Sequence, residues 1–299
     1  MQIVFKQLLV LYIFLFVGWL IGKAKREKAS HADILSVLLV NVLLPCKVFF
    51  TFANNVTPTY IREKYTLILA GAVLLSVLAL ASYFLPKFLT QNKYERRVYA
   101  YSVPVANYAY LGYALIGSVF GEGVLADFMF FAIPFIFYTY TVGYVLLTGG
   151  DKPWKKLLNP ITAAIVLGIA VGLSNIEMPS VISSAASMGA GCVGPLSMIL
   201  TGITLSGFAM KDMLTDKTAY IFSAIRLIGI PAIAYLVCSV SGLDYFLPMI
   251  LIITCMPCGL NTIVFPKLIG EDCKPGARLA LITHVLALVT LPLWLSIIL

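Results

Sequence analysis

Charge is the scarcest resource in this chain. Of 299 residues only 11% are charged, against about 25% in soluble domains, while 61% are hydrophobic. No soluble core hides that much apolar surface, so lipid must face most of it. Histidine occurs twice, as His31 and His284, and carboxylates inside apolar stretches are few. Metal clusters, paired carboxylates and a nucleophile with its base therefore lack their parts, which argues against an enzyme and against a cofactor. No run of basic residues interleaves with exposed aromatics, which sets nucleic acid aside, and no Walker-type loop points to ATP as a driver. Cysteine numbers six, and all but Cys273 lie in apolar stretches, which argues against a disulfide framework. Cys255-Met-Pro-Cys258 has metal-pair spacing, yet no second pair or nearby histidine completes a zinc site; packing between helices is the plainer reading. The first apolar run has no basic leader and no small-residue cleavage site, so a retained span is expected there.

What is present is a series of long apolar runs. A span needs about 20 mostly apolar residues. Ten stretches qualify: Ile3–Gly22, Ile34–Ala53, Tyr65–Leu85, Val98–Phe120, Val124–Thr148, Ile161–Asn175, Ala190–Ala209, Ala219–Val240, Phe246–Ile269 and Ala277–Ile298. Ser180–Gly189 reads as a weakly polar connection or a small helix. The expected fold class is thus an all-α polytopic membrane protein of ten spans.

Lysine and arginine resist translocation and orient such a chain. With the N-terminus outside, the inner loops carry Lys23, Lys25, Arg26, Lys28, Lys87, Lys93, Arg96, Arg97, Lys152, Lys155, Lys156, Lys211, Lys217, Lys274 and Arg278. The outer loops carry only Arg62 and Lys64. This alternation supports ten spans with both termini outside, and it places the net charge of +8 beside anionic lipid.

Five spans per half put the midpoint near Gly150, and an odd number per half makes a duplicated half insert upside down. The expected halves are residues 1–149 and 150–299. Pro45 in span two matches Pro195 in span seven, and Pro104-Val-Ala-Asn107 in span four matches Pro257-Cys-Gly-Leu-Asn261 in span nine. Spans four and nine also end alike, in Phe120-Gly121-Glu122-Gly123 and Ile269-Gly270-Glu271-Asp272. A proline inside a helix removes one hydrogen bond and strains another, and in lipid the opened backbone survives only inside protein or beside water. Spans four and nine should therefore unwind near Pro104 and Pro257. Inverted copies would bring both breaks together near the midplane, where half-helix N-termini favour an anion. Ordinary kinks with packing asparagines are the alternative.

Taken in order, these marks resemble the auxin efflux carrier family, with its bacterial malate-permease-like and plant PIN-type members. They are Asn41-Val-Leu-Leu-Pro45, Asn107-Tyr-Ala-Tyr-Leu-Gly112, Asn159-Pro160, Gly194-Pro195-Leu196 with Thr201-Gly202, Arg226 before Pro231, and Met256-Pro257 with Asn261. The resemblance covers nearly the whole chain. It implies a fold similar to sodium/proton antiporters and bile acid symporters, with crossed, broken helices four and nine. It also implies substrate contact at Pro104, Asn107, Pro257 and Asn261, and a homodimerising scaffold of spans one, two, six and seven. Spans three to five and eight to ten would then move. The Gly- and Ser-rich face of span seven (Gly189, Gly191, Gly194, Ser197, Gly202) suits close helix approach. Departures are Ala109 and Ala114, where the family's pattern commonly has glycine and proline, and a central loop, Gly149–Asn159, without the long insertion of many plant members.

Other intramembrane polar groups are functional suspects by default. Lys47 could attract an anion or snorkel. Arg226 could neutralise a carboxylate or tie helices together. His284 could couple protons or pack as a neutral ring. Asp127 and Lys267 sit close to span ends, where an interfacial place suffices. Tyr99, Tyr101, Tyr108, Tyr110 and Tyr113 crowd span four, either to stack on an aromatic ligand or to fill space beside the break. The expected function is a secondary transporter of a small organic anion, a carboxylate, by elevator-type alternating access in a cell membrane. A solute sensor or a channel on the same fold is the alternative. No carboxylate lies near either crossover proline in sequence, which favours uniport or proton coupling.

Overall fold

The computed structural model describes residues 1–24, 29–150, 157–174 and 176–299. Lys25, Arg26, Lys28, Lys152, Lys155 and Lys156 of the expected inner loops, and Asn175 at the expected end of span six, lie outside the described residues. The chain is all-helical. Its helices are α1 (Gln2–Ala24), α2 (Ala32–Asn55), α3 (Pro58–Leu89), α4a (Lys93–Ser102), α4b (Tyr108–Phe120), α5a (Glu122–Phe131), α5b (Ile133–Thr148), α6 (Pro160–Ser174), α7 (Ser180–Ser206), α8 (Lys217–Ser241), α9a (Leu247–Cys255), α9b (Asn261–Lys267) and α10 (Lys274–Leu295). Six of them are long and apolar enough to cross a membrane, and the pair α5a and α5b, bent by 52°, makes a seventh if taken as one. The helices α4b and α6 are apolar but shorter.

Local chemistry sets the boundaries. Asn92 accepts hydrogen bonds from the Tyr94 and Glu95 amides, capping α4a, and Asp216 does the same for α8 through Thr218 and Ala219. Asn159-Pro160 opens α6 as a cap followed by a proline that needs no amide partner, with Asn159 Oδ1 accepting from Ile161 and Thr162 at 3.0 Å. The two similar turns meet a common need: Gly121 and Gly270 have φ of 87° and 74°, which side-chain-bearing residues adopt at a cost. The bend within α5 falls beside Pro134, whose ring cannot continue the preceding turn. One expectation needs correction. Ser180–Gly189 is no connection but the first part of α7, which runs unbroken through Pro195. Serine and glycine lower its hydropathy, yet backbone beside lipid gains more from a complete helical ladder than those residues lose in propensity.

Prolines within helices leave carbonyls free, and at Pro231 the fold supplies a replacement donor. Two residues before Pro45 and before Pro231 the helix widens into π turns, Leu39–Leu43 and Ile225–Gly229. Pro231 cannot donate to the Leu227 carbonyl four residues back; the Trp294 indole Nε1 donates to it instead, at 2.8 Å. This bond ties α10 to α8.

The helices pack in two groups. In one, α1 lies along α7, and α2 packs against α6 and α7. Backbones touch there: a Cβ on Gly18 would collide with the Ile199 carbonyl, and one on Gly202 with the Leu15 carbonyl. In the other, α3 packs on α4a and both parts of α5, while α10 packs on α8, α9a and α9b. Ion pairs brace the second group. Lys64 and the Tyr60 hydroxyl hold Asp127 at 2.8 and 2.7 Å, and Arg278 holds Asp216 at 2.8 Å. Lys267, expected only to snorkel, pairs with Asp33 of α2 at 2.6 Å.

Candidate functional site

Between α4a and α4b, and between α9a and α9b, the chain leaves the helix at residues 103–107 and 256–260. Pro104 and Pro257 sit in these gaps, where each denies its helix an amide donor. The gaps cross. The Asn107 amide N–H donates to the Pro257 carbonyl at 2.8 Å, and Ala106 and Cys258 form one antiparallel bridge.

The second gap is repaired by side chains of α8 and α10. In an unbroken helix the Ile253 carbonyl would accept from residue 257, which is proline, and the Thr254 carbonyl from the Cys258 amide. The Cys258 amide instead donates to Thr283 Oγ1 at 3.0 Å. Both freed carbonyls accept from Arg226, through Nη1 to Thr254 at 2.5 Å and Nη2 to Ile253 at 3.1 Å. Arg226 is fully buried, and its charge stands at the negative end of α9a. The guanidinium is thereby committed to backbone and does not line the cavity described next.

At the first gap the polar partner is a side chain. Asn107 Nδ2 lies 2.9 Å from His284 Nε2, and His284 Nδ1 lies 2.6 Å from the Ala280 carbonyl; both side chains are buried. The Tyr12 hydroxyl donates to the His284 carbonyl at 2.5 Å, joining α1 to the same point.

A cavity opens beside the crossing. Asn107, Tyr108, Tyr110 and Tyr113 line it from span four, Gly259 and Leu260 from the second gap, Asn261 from the start of α9b, and Leu44 and Val48 from α2. Thus Asn107, Asn261 and Tyr108 meet in one place, with Pro104 and Pro257 behind them in the gaps and His284 one hydrogen bond away. The N-terminal ends of α4b and α9b, at Tyr108 and Asn261, both begin at this wall. The tyrosines divide: Tyr99 stacks on Phe222 and Tyr101 meets Phe265 edge-on, and neither lines the cavity, while Tyr108 and Tyr113 stay within 6.1 Å of each other. Sequence reasoning missed Thr139 and Tyr140, which line the cavity from α5b. They lie in a π turn, Thr139–Gly143, and no local motif announces it.

Lys47 stands elsewhere. Its ammonium pairs with Glu122, the first residue of α5a, at 2.7 Å, and both line a second hollow between α1, α2, α4b and α7. Tyr113 lines both spaces. Three glycines on the small-residue face of α7 pack within the chain, and a Cβ on Gly191 would meet open space. Gly202 seats α1, a Cβ on Gly189 would crowd Cys46, and one on Gly194 would crowd Ala114. Cys255 and Cys258 are buried, and among the described residues no group of three or more metal-ligating side chains converges.

Fold and site together define a multi-pass, all-helical membrane protein whose cavity is built on broken helices. Comparison with known proteins narrows the class: the chain belongs to the auxin efflux carrier family, described as Membrane transport protein, which matches residues 3–153 and 145–295. It is a membrane transport protein and not an enzyme. The uncharacterized transporter MJ1031 of Methanocaldococcus jannaschii is similar, 27% identical over 300 residues and aligned over 96% of each chain.

Proposed function

We propose that this protein is a secondary transporter of a small organic carboxylate, which binds with its charged end between Asn107, Asn261 and the opened backbone at Pro104 and Pro257. The carrying observation is the crossing itself, where two half-helix N-termini and two asparagines meet at one cavity. Burying an ionised carboxylate costs several kcal/mol unless donors replace its water. Helix N-termini supply N–H groups and positive dipole ends without a fixed cation. The commitment of Arg226 to carbonyls supports a site that binds its anion in this way.

In this reading the chain crosses a cell membrane ten times, as inverted halves 1–149 and 150–299, with both termini outside. The group α1, α2, α6 and α7 acts as a dimerising scaffold, and α3 to α5 with α8 to α10 slides against it. Support comes from the loop charges, the two packing groups and the paired breaks.

The test is counterflow. Proteoliposomes preloaded with an unlabelled carboxylate should take up the same labelled compound faster than empty ones, with saturation. Flux without acceleration would indicate a channel, and binding without flux a sensor. Full uptake by the Asn107→Ala, Asn261→Ala double variant would remove the proposed site.

A further inference from the structure

The hydrogen bonds around His284 fix which way the Asn107 amide points. The Ala280 carbonyl can only accept, so His284 Nδ1 carries a hydrogen. In a neutral imidazole the other nitrogen, Nε2, is then an acceptor and takes a hydrogen from Asn107 Nδ2. Asn107 Oδ1 then receives no hydrogen from His284, and beside the one remaining Nδ2 hydrogen it presents an acceptor that repels a carboxylate. Protonated histidine reverses this. Both ring nitrogens then donate, Asn107 must offer Oδ1 to Nε2, and its NH₂ turns toward the cavity as a donor pair. The backbone need not move, because the Asn107 amide N–H stays on Pro257.

Resting on the reading of the cavity as a carboxylate site, we propose that His284 is a proton-operated positioning residue: its protonation turns the Asn107 amide from acceptor to donor, so that anion and proton are bound together. Their charges offset one another through the asparagine, without direct contact between imidazolium and anion. Other titratable groups on the elements around His284 are otherwise engaged, and the carboxylates among them, Glu95 on α4a and Asp216 at the start of α8, are held by Arg278. Tyr12 on α1 donates to the His284 carbonyl, and Arg226 on α8 is held by Ile253 and Thr254. Tyr99 on α4a stacks on Phe222, and Cys255 and Cys258 at the second gap are buried thiols. None of these offers His284 a carboxylate, so the anion in the cavity is the negative charge that its protonation would answer.

The experiment is calorimetric titration of the full chain in lipid nanodiscs with succinate, benzoate and indole-3-acetate. It runs across about pH 6.5 to 8, where the carboxylates are largely ionised, in two buffers of different ionisation enthalpy. Expected for a bound probe is uptake of up to about one proton per anion, with affinity falling by up to about tenfold per pH unit on the alkaline side. Glutamine can accept or donate and does not titrate, so His284→Gln should still bind, with a flat pH profile and no proton uptake; His31→Gln should behave as the parent. An unchanged profile in His284→Gln would overturn the proposal. So would binding by the parent without proton uptake, which decides the matter even if the variant does not fold. Failure of every probe to bind at any pH is a separate result: it removes the carboxylate reading, and this inference with it.

Discussion

The two helix breaks share a pattern in sequence and differ in how they are satisfied. At the second, each carbonyl that Pro257 and the departing Cys258 amide leave behind has a permanent donor on Arg226, and that amide has its own acceptor in Thr283. At the first, the side-chain contact is between Asn107 and His284, two groups that can each exchange donor for acceptor. A guanidinium cannot change roles in this way. One break is therefore held shut by chemistry that does not titrate, and the other is adjustable.

The sharpest way to break the comparison is to remove the fixed donor. Arg226→Met should strand two buried carbonyls, each at about 1–3 kcal/mol, and so give the largest fall in thermal stability of the folded protein in detergent. Arg226→Lys, with one compact head in place of a fork, should recover part of it. An Arg226→Met protein as stable as its parent would mean that the second break is not held by that cation. Next come the asparagines. Asn107→Ala and Asn261→Ala should each lower carboxylate binding by roughly tenfold or more, about 1.4 kcal/mol, with little change in melting temperature for Asn261→Ala and a modest fall for Asn107→Ala, which strands His284 Nε2. Equal losses of stability and binding would make them packing residues. Trp294→Phe keeps the ring and loses the N–H to Leu227; a cost of about 1 kcal/mol in unfolding, with transport retained, is expected. The smallest effect belongs to Lys47→Ala. Its Glu122 partner is about half exposed, and such pairs contribute about 0–1 kcal/mol. A loss of binding larger than that of Asn107→Ala would instead point to a cation-based anion site.

Much of this was readable before any coordinates. The apolar runs fall on helices, and Pro104 and Pro257 mark gaps because proline's missing N–H is a local, unconditional fact. What escaped was whatever depends on distant partners. Arg226 finds its carbonyls 27 and 28 residues away, and Asn107 finds His284 at a separation of 177. Two roles were open for each from sequence, since a polar residue in an apolar run does not say what it faces. Ser180–Gly189 misled for the opposite reason: hydropathy averages side chains, whereas helix formation there is governed by backbone. Thr139 and Tyr140 carried no signal, because a cavity wall is set by the packing of several helices at once.

The pairing of Arg226 also imposes an order on the protein's own manufacture. The charge emerges from the ribosome in α8, while the carbonyls that will hold it are still unmade 27 and 28 residues downstream. An arginine left alone at mid-helix costs roughly 2.5–3.5 kcal/mol at insertion. Until α9a arrives, the apolar remainder of α8 has to offset that cost. The Leu227 carbonyl waits longer, for Trp294 near the end of the last helix. The second half of the chain is thus completed only when its final helix docks, and a ribosome stalled just short of Trp294 would leave α8 imperfectly seated.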